Sequence, residues 1–288
     1  MISREISVSL DNLADSDGHR AREDRRRLGH LSELAASLAK QLSEGGEGES
    51  PRALLGGAAS LLSEGVGEHL GADDRAELTL LLLSAAERRF GAPVSAAALA
   101  GGPCPPPSRA RTVYVRNPLT DGAYLRLSSL LSAPTVGYRQ NFRELFDDVE
   151  NGYADYAVLP LFAGGHFVSS VSALLEERSL FITATVTVPT EEDEVTYGLL
   201  AREPFTHRAP THFAFRVGIG SGESPTVHLA AAARFGLSLV RMDAVPTPYG
   251  GGLSCRFLLA GKEFAPMLAY LTLFVPSFTG YGFYTELQ

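Results

Sequence analysis

Residues 140–175 read QNFRELFDDVENGYADYAVLPLFAGGHFVSSVSALL, and this stretch decides the fold. It opens with apolar residues at the 3.6-residue period of an α-helix: Phe142, Leu145, Phe146 and Val149. Asn151-Gly152 ends that helix. The next run, Tyr156 to Leu161, is mostly apolar and is stopped by Pro160 and a Gly-Gly pair, which predicts a buried strand that feeds a loop.

The pattern continues with a helix from Val168 to Glu177 and a strand from Leu180 to Val188. Alternating helices and strands of this kind predict an open α/β sheet. Ligands of such sheets bind at the carboxyl ends of the strands, so the loop after Leu161 is a candidate ligand site.

The amino-acid sequence of residues 142–161 resembles the segment of prephenate dehydratases that leads into their substrate loop. Glu150 to Tyr156, ENGYADY, carries the most specific part of the resemblance. The resemblance implies a periplasmic-binding-like α/β lobe, a place in phenylalanine biosynthesis and a C-terminal ACT domain. Without it, the same residues indicate a generic helix-to-strand unit.

Composition excludes several classes of protein. The chain has 288 residues, a formal net charge of -8 and no basic stripe, which argues against nucleic acid as the main partner. No apolar run approaches the roughly 18 residues that span a bilayer. Cys104 and Cys255 stand far apart without metal-ligand spacing, so we expect a cytoplasmic protein with reduced thiols, no metal and no cofactor.

Four segments follow from the pattern. Residues 1–100 are helical and resemble the chorismate mutase module that precedes dehydratase domains, 101–111 form a Pro/Gly-rich linker, 112–206 form the dehydratase-like lobe and 207–288 the ACT-like domain. Among the cationic positions of the mutase module, the resemblance leaves Lys40. Because most of the module's other charged partners are replaced, we expect this segment to serve packing or dimerisation.

The dehydratase-like lobe departs from the family at its catalytic loops. In the loop after the strand at residues 113–115, Pro118 alone keeps the family residue, and Phe162 to His166 replace the Glu-Asn-Ser loop. Decarboxylative dehydration needs groups that anchor carboxylates and an acid that protonates the departing hydroxyl. His166 is a candidate for that acid, and a solvated loop histidine is the alternative.

The connection between two later strands is also short. Pro189 to Glu194 stands where the family inserts a whole second lobe, and six residues make a hairpin and cannot fold into a lobe. Thr196 then occupies the family's Thr position, with Tyr197 in place of the Arg. We therefore expect the dehydratase cleft to lack its second wall, with Thr196 as the remaining candidate catalytic residue.

The last segment follows a βαββαβ order, which is that of a ferredoxin-like fold. Its resemblance to an ACT domain implies an amino-acid site in two loops. The candidate ligand-binding residues are Ser224, Pro225, Asp243, Ala244, Val245 and Pro246. The resemblance implies phenylalanine or another aromatic amino acid as ligand, bound at a homodimer interface, and a purely structural domain is the alternative.

The sequence thus predicts a multidomain protein of mixed α/β and α+β class. The leading hypothesis is a catalytically degenerate chorismate mutase/prephenate dehydratase relative that senses an amino acid or pairs subunits. The second hypothesis is an enzyme that acts on prephenate or chorismate through a remodelled site at Lys40, Thr196 and His166. The third is a structural dimerisation protein without a small ligand.

Overall fold

The computed structural model divides into two compact units, one formed by residues up to Val94 with Leu268–Phe274, the other by Ser95–Met267 with Val275–Gln288. It describes residues 23–41, 50–63, 70–100, 105–191, 193–205, 207–219, 224–246 and 253–287.

The first unit is helical. Helix α1 covers residues 23–41, α2 runs Pro51–Leu61 and α3 runs Ala72–Phe90. The Ser50 hydroxyl caps α2 by accepting a hydrogen bond from the Ala53 amide at 3.2 Å. Buried apolar side chains hold the helices together: Leu31, Ala35, Leu38, Leu54, Leu55, Ala58, Leu62, Ala76, Leu78, Leu82, Leu83 and Ala86.

The second unit contains the strands. Its helices are α4 Ala96–Leu99, α5 Pro118–Leu127, α6 Phe142–Glu150, α7 Ser169–Glu177, α8 Pro225–Arg234 and the start of α9 Ala265–Phe274. Its strands are β1 Arg111–Val115, β2 Thr135–Arg139, β3 Tyr156–Ala163, β4 His166–Phe167, β5 Phe181–Pro189, β6 Glu194–Ala201, β7 His212–Ile219, β8 Ser238–Pro246, β9 Leu253–Ala260 and β10 Thr279–Leu287.

All ten strands belong to one sheet of order β2-β1-β3-β6-β5-β10-β7-β9-β8, with β4 beside β3. Strand β1 runs parallel to β2 and β3, and β6 is antiparallel between β3 and β5. The mixed α/β architecture with a large sheet is therefore confirmed.

Two hydrophobic cores lie on opposite faces of the sheet formed by β1, β3, β5 and β6. Side chains of α6 and α7 cover one face, and side chains of α5 cover the other. Helix α6 begins where the sequence predicts, because the Asn141 side chain accepts a hydrogen bond from the Glu144 amide at 3.0 Å. Arg178 joins α6 to the end of α7 through ion pairs with Asp147, at 2.9 Å, and with Glu150.

The C-terminal elements follow the predicted βαββαβ order. Their strands pair as β8-β9-β7-β10, all antiparallel, and β10 then adds to β5 in parallel. The junction aligns Thr285 with Ala184, Glu286 with Thr185 and Leu287 with Val186. The sequence does not predict this pairing of β10 with β5. The pairing joins the strands of the dehydratase-like segment and those of the ACT-like segment into one sheet.

The predicted length of the loop after Leu161 is wrong. Strand β3 continues to Ala163, and a turn through Gly164 and Gly165, with φ angles of 56° and 71°, leads directly into β4. Glycine suits this turn because both residues lie in the left-handed region. The result is a tight β-turn, with Phe162 opposite Phe167, in place of an open ligand loop.

The acidic hairpin is confirmed. Strands β5 and β6 pair antiparallel up to Pro189 and Glu194, and the Thr190 amide donates to the Asp193 carbonyl at 2.6 Å. The hairpin therefore closes within the six residues that the sequence indicates.

Gly282 allows the close approach of β10 to β5. Its φ is 125°, and a Cβ built there would lie 2.4 Å from the Ile182 carbonyl oxygen. The residue sits at the bulge where the pairing of β10 with β7 shifts register.

We predict that Gly282→Ala lowers the free energy of unfolding by about 2–4 kcal/mol, because it combines backbone strain with a steric clash. Urea denaturation measures the change. Gly280→Ala is the matched control, since nothing lies within 4 Å of a Cβ at that position. Equal effects of the two substitutions would contradict this account of the junction.

Candidate functional site

A cavity of about 220 Å³ lies between the β5–β6 hairpin and strands β7, β8, β9 and β10. Its lining mixes hydroxyl, charged and apolar side chains: Phe162, Gly165, Thr185, Thr187, Glu194, Thr196, His212, Val240, Arg241, Leu258, Tyr284 and Glu286. We call it the threonine cavity. The six-residue hairpin adds no lobe here, and most of the other lining residues come from the β3–β4 segment and the C-terminal strands.

Three threonine hydroxyls form the floor of the threonine cavity. Thr185 and Thr187 are two residues apart on β5, so their side chains lie on the same face of the sheet. Thr196 is the cross-strand partner of Thr187, and their hydroxyl oxygens are 3.0 Å apart. Thr185 is buried. Each hydroxyl both donates and accepts, so the floor offers hydrogen bonds to a polar ligand.

A histidine and a carboxylate stand side by side at another wall. His212 Nε2 lies 3.6 Å from Glu286 Oε2, and His212 Nδ1 lies 2.9 Å from the Thr211 hydroxyl. Burial lowers the pKa of His212 from its ordinary 6.5, and the charge of Glu286 offsets part of this effect. The imidazole is therefore neutral at neutral pH.

Tyr284 packs beneath this pair. Its ring stacks on His212 with centroids 5.5 Å apart and planes 13° from parallel. Burial, and secondly the Glu286 charge, raise the pKa of the Tyr284 phenol well above its ordinary 10. The phenol is therefore protonated and uncharged at all physiological pH values.

Arg241 links strand β8 to the β3–β4 turn. From β8 it donates to the Gly165 carbonyl in the β3–β4 turn, and its guanidinium lies 4.7 Å from the Phe162 ring centroid. Strands β3 and β8 stand far apart in the sheet order. Arg241, Gly165 and Phe162 all line the threonine cavity, so this contact forms part of its wall.

A second, smaller cavity adjoins the first around Arg256. The Arg256 guanidinium lies 4.1 Å from the Phe167 ring centroid and 5.4 Å from that of Tyr281, and it donates to the Ser172 hydroxyl at 3.0 Å. Asp243 also lines this space. Its volume of about 10 Å³ holds about one water molecule, so this cavity is too small to bind a metabolite.

Of the three predicted catalytic residues, one lines the threonine cavity. Thr196 lines the threonine cavity, whereas His166 is exposed on β4, next to the lining residue Gly165. Lys40 is an exposed residue of α1, in the other compact unit. The catalytic role of each stays a prediction.

The six predicted ligand-binding residues lie outside the lining of the threonine cavity. Ser224 caps α8, where its hydroxyl accepts from the Thr226 amide at 3.3 Å, and Pro225 is the first residue of that helix. Asp243, Ala244, Val245 and Pro246 form the end of β8. Pro246 and the last residue of β7 both align with Leu253, so both segments meet one end of the sheet. An amino-acid site there stays a prediction.

The loop after β1 forms a separate aromatic cluster. The Tyr114 hydroxyl donates to Asp121 Oδ1 at 2.7 Å, and the Tyr138 ring stands edge-on to Tyr114 with centroids 5.2 Å apart. Arg116 lies over the Tyr138 ring at 5.0 Å. Pro118 begins α5 behind the capping residue Asn117. The residues of this cluster contact one another, and none of them lines the threonine cavity.

Sequence reasoning missed most of the threonine cavity. His212, Arg241, Tyr284 and Glu286 come from the segment assigned to the ACT-like domain, and their meeting with Thr196 depends on the β5–β10 junction. One signal was available: threonine recurs at every second position of β5, which places a row of hydroxyls on one face of a strand.

The structure is similar to solved prephenate dehydratases. The X-ray structure of prephenate dehydratase from Streptococcus mutans is 15% identical with a TM-score of 0.52, over 62% of this chain and 100% of that chain. Prephenate dehydratase from Arthrobacter aurescens in complex with L-Phe is 12% identical with a TM-score of 0.50, over 61% and 90%. At these identities the likeness concerns the fold.

Further comparisons add no family. GqqA, described as a novel type of quorum quenching acylase, is 22% identical with a TM-score of 0.47, over 60% of this chain and 94% of that chain. No protein-family model and no curated protein matches the sequence. Within the described residues, no helix meets the length and hydropathy that a membrane crossing requires, and no cluster of metal-ligating side chains forms.

We predict that acid destabilises the protein partly through His212. Its folded-state pKa is lowered, so below about pH 6.5 the unfolded state binds the proton more readily and stability falls. Between about pH 7.5 and 5.5, the melting temperature of His212→Gln should therefore fall less than that of the wild-type protein. Thermal unfolding at both pH values measures this, with the exposed His166→Gln as control. A fall in the melting temperature of His212→Gln as large as that of the wild-type protein would contradict this prediction.

Proposed function

We propose that this protein is a prephenate dehydratase-like binding protein of aromatic amino-acid biosynthesis that has lost dehydratase chemistry and holds a small metabolite in the threonine cavity. The observation that carries the proposal is the cavity itself, where three threonine hydroxyls and the Arg241 guanidinium face one space. An aromatic amino acid, prephenate and chorismate all carry a carboxylate, which a guanidinium recognises.

The size and lining of the cavity support a small ligand. Its volume of about 220 Å³ is below the roughly 300–1,000 Å³ of sites for drug-sized molecules, so it suits a metabolite of amino-acid size. Phe162, Leu258 and Tyr284 supply apolar surface beside the polar groups. Binding sites of this class combine such apolar walls with a few polar groups that orient the ligand.

The loss of dehydratase chemistry is supported by the groups that replace the family's loops. Phe162 packs edge-on against Phe167 with ring centroids 4.7 Å apart, and the glycines between them form a turn. Pro118 begins a helix in a cluster that lines no part of the cavity. The expected acid, His166, is exposed. These positions offer little to anchor two carboxylates or to protonate a leaving hydroxyl.

The C-terminal segment supports a regulatory role. Its βαββαβ order and its antiparallel strand order suit an ACT-like domain. Its outermost strand, β8, exposes Leu239 and Met242, which suits pairing with a second copy of this chain. We propose that the protein is a homodimer and that the helical N-terminal segment, with Lys40, serves packing.

We predict that phenylalanine, tyrosine, prephenate or chorismate raises the melting temperature of the full-length protein, because a ligand that binds the folded state stabilises it. Each kcal/mol of binding stabilisation corresponds to about 2–4 °C for a protein of this size class. Thr187→Val and Thr196→Val should reduce the shift. Thr135→Val, on the exposed edge strand β2, is the matched control. No shift with any of the four ligands would refute the proposal.

An active enzyme is the second candidate, and the His212–Glu286 pair favours it. A neutral imidazole beside a carboxylate can accept a proton from a bound substrate, and the pair shares a cavity with Thr196. We predict no phenylpyruvate formation from prephenate above the uncatalysed rate, measured by absorbance of the enolate. Formation that His212→Asn abolishes, and that Arg208→Met leaves intact, would replace the binding proposal with the enzyme.

A further inference from the structure

The charges that line the threonine cavity are unequal. Arg241 contributes one positive charge, and Glu194 and Glu286 contribute two carboxylates. His212 adds no charge at neutral pH, because burial lowers its pKa. A ligand that enters therefore meets one cationic group within a lining of net negative charge. Such a lining repels a dianion and accepts a ligand whose own charges sum to zero.

Arg241 retains donors for a ligand. Its guanidinium rests on the Phe162 ring at 4.7 Å and donates to a carbonyl, the Gly165 oxygen, which neutralises no charge. Over the described part of the chain, no carboxylate lies within the 4.0 Å of an ion pair with Arg241. A guanidinium has five N–H donors in a planar fork and binds carboxylates in a bidentate manner.

Glu286 is held in place at another wall. Its backbone amide donates to the Thr211 hydroxyl at 3.2 Å, and its strand aligns it with Thr185 of the cavity floor. The adjoining His212 carries no positive charge at neutral pH, because burial lowers its pKa, so it does not compete with a ligand cation for the carboxylate. Its side chain is 46% exposed and open to the cavity.

The strand order keeps the two groups apart. Arg241 stands on β8 and Glu286 on β10, with β9 and β7 between them, while Arg241 also contacts the β3–β4 turn. Among the described residues, these two side chains form no ion pair with each other. The hydroxyls of Thr185, Thr187 and Thr196 line the same cavity.

We infer that the threonine cavity selects a zwitterionic α-amino acid over dicarboxylates such as prephenate and chorismate, with Arg241 binding the α-carboxylate and Glu286 the α-ammonium. This inference rests on the proposed function and names the ligand class of the same cavity. The apolar residues Phe162, Val240 and Leu258 then contact the amino-acid side chain. The site is separate from the loops at Ser224 and Asp243.

Calorimetric titration of the full-length protein with a graded set of compounds tests the inference. L-Phenylalanine carries both charges, 3-phenylpropionate lacks the ammonium, phenethylamine lacks the carboxylate, and prephenate and chorismate are dianions. We expect phenylalanine to bind at least tenfold more tightly than each of the other four. Prephenate or chorismate binding as tightly as phenylalanine overturns the inference and leaves the proposed function standing. Binding of none of the five overturns both.

Two substitutions assign the two charges. Arg241→Met should weaken phenylalanine at least tenfold, and Glu286→Gln should bring the affinities of phenylalanine and 3-phenylpropionate close together, because the selecting carboxylate is gone. Arg208→Met and Glu263→Gln are controls at exposed positions outside the cavity lining. Phenylalanine binding that both Arg241→Met and Glu286→Gln leave unchanged places the amino acid elsewhere and overturns the inference. The wild-type ligand series decides the matter even if a variant fails to fold.

Discussion

The parallel pairing of β10 with β5 is the interaction on which the second unit depends. It aligns Glu286 with Thr185 and brings the last strand of the chain against the hairpin strand of the dehydratase-like lobe. Gly282 makes the approach possible, since any side chain there would meet the Ile182 carbonyl. Through this contact, two segments that the sequence places in separate domains share one sheet and the threonine cavity.

The same junction explains how a lobe with a short hairpin acquires a second wall. Strands β5 and β6 are joined by a hairpin that closes between Pro189 and Glu194. Side chains of strands β7 to β10 line the threonine cavity together with Thr185, Thr187 and Thr196. Arg241 links β8 to the β3–β4 turn by its hydrogen bond to the Gly165 carbonyl. Thr196, which the resemblance singles out, thus lies in a polar cavity whose other groups come from the C-terminal segment.

Local elements were predictable because their signals are local. The helix at residues 142–150, the six-residue hairpin and the C-terminal βαββαβ order follow from apolar periodicity, capping residues and turn residues. The loop after Leu161 was predicted too long, because Gly164 and Gly165 allow a tight turn that composition alone does not distinguish from an open loop. The threonine row on β5 was visible, yet its facing partners were not.

The sequence by itself determined which segments form helices and strands, the mixed α/β class and the position of Thr196 on a strand after a short hairpin. Tertiary structure alone decided what Thr196 faces. His212, Arg241 and Glu286 are separated from it by between 16 and 90 residues, and no periodicity encodes a register between strands so distant in the chain. That register depends on backbone hydrogen bonds between the strands and on the absence of a side chain at Gly282, where β10 approaches Ile182. Both contacts exist only in the folded sheet.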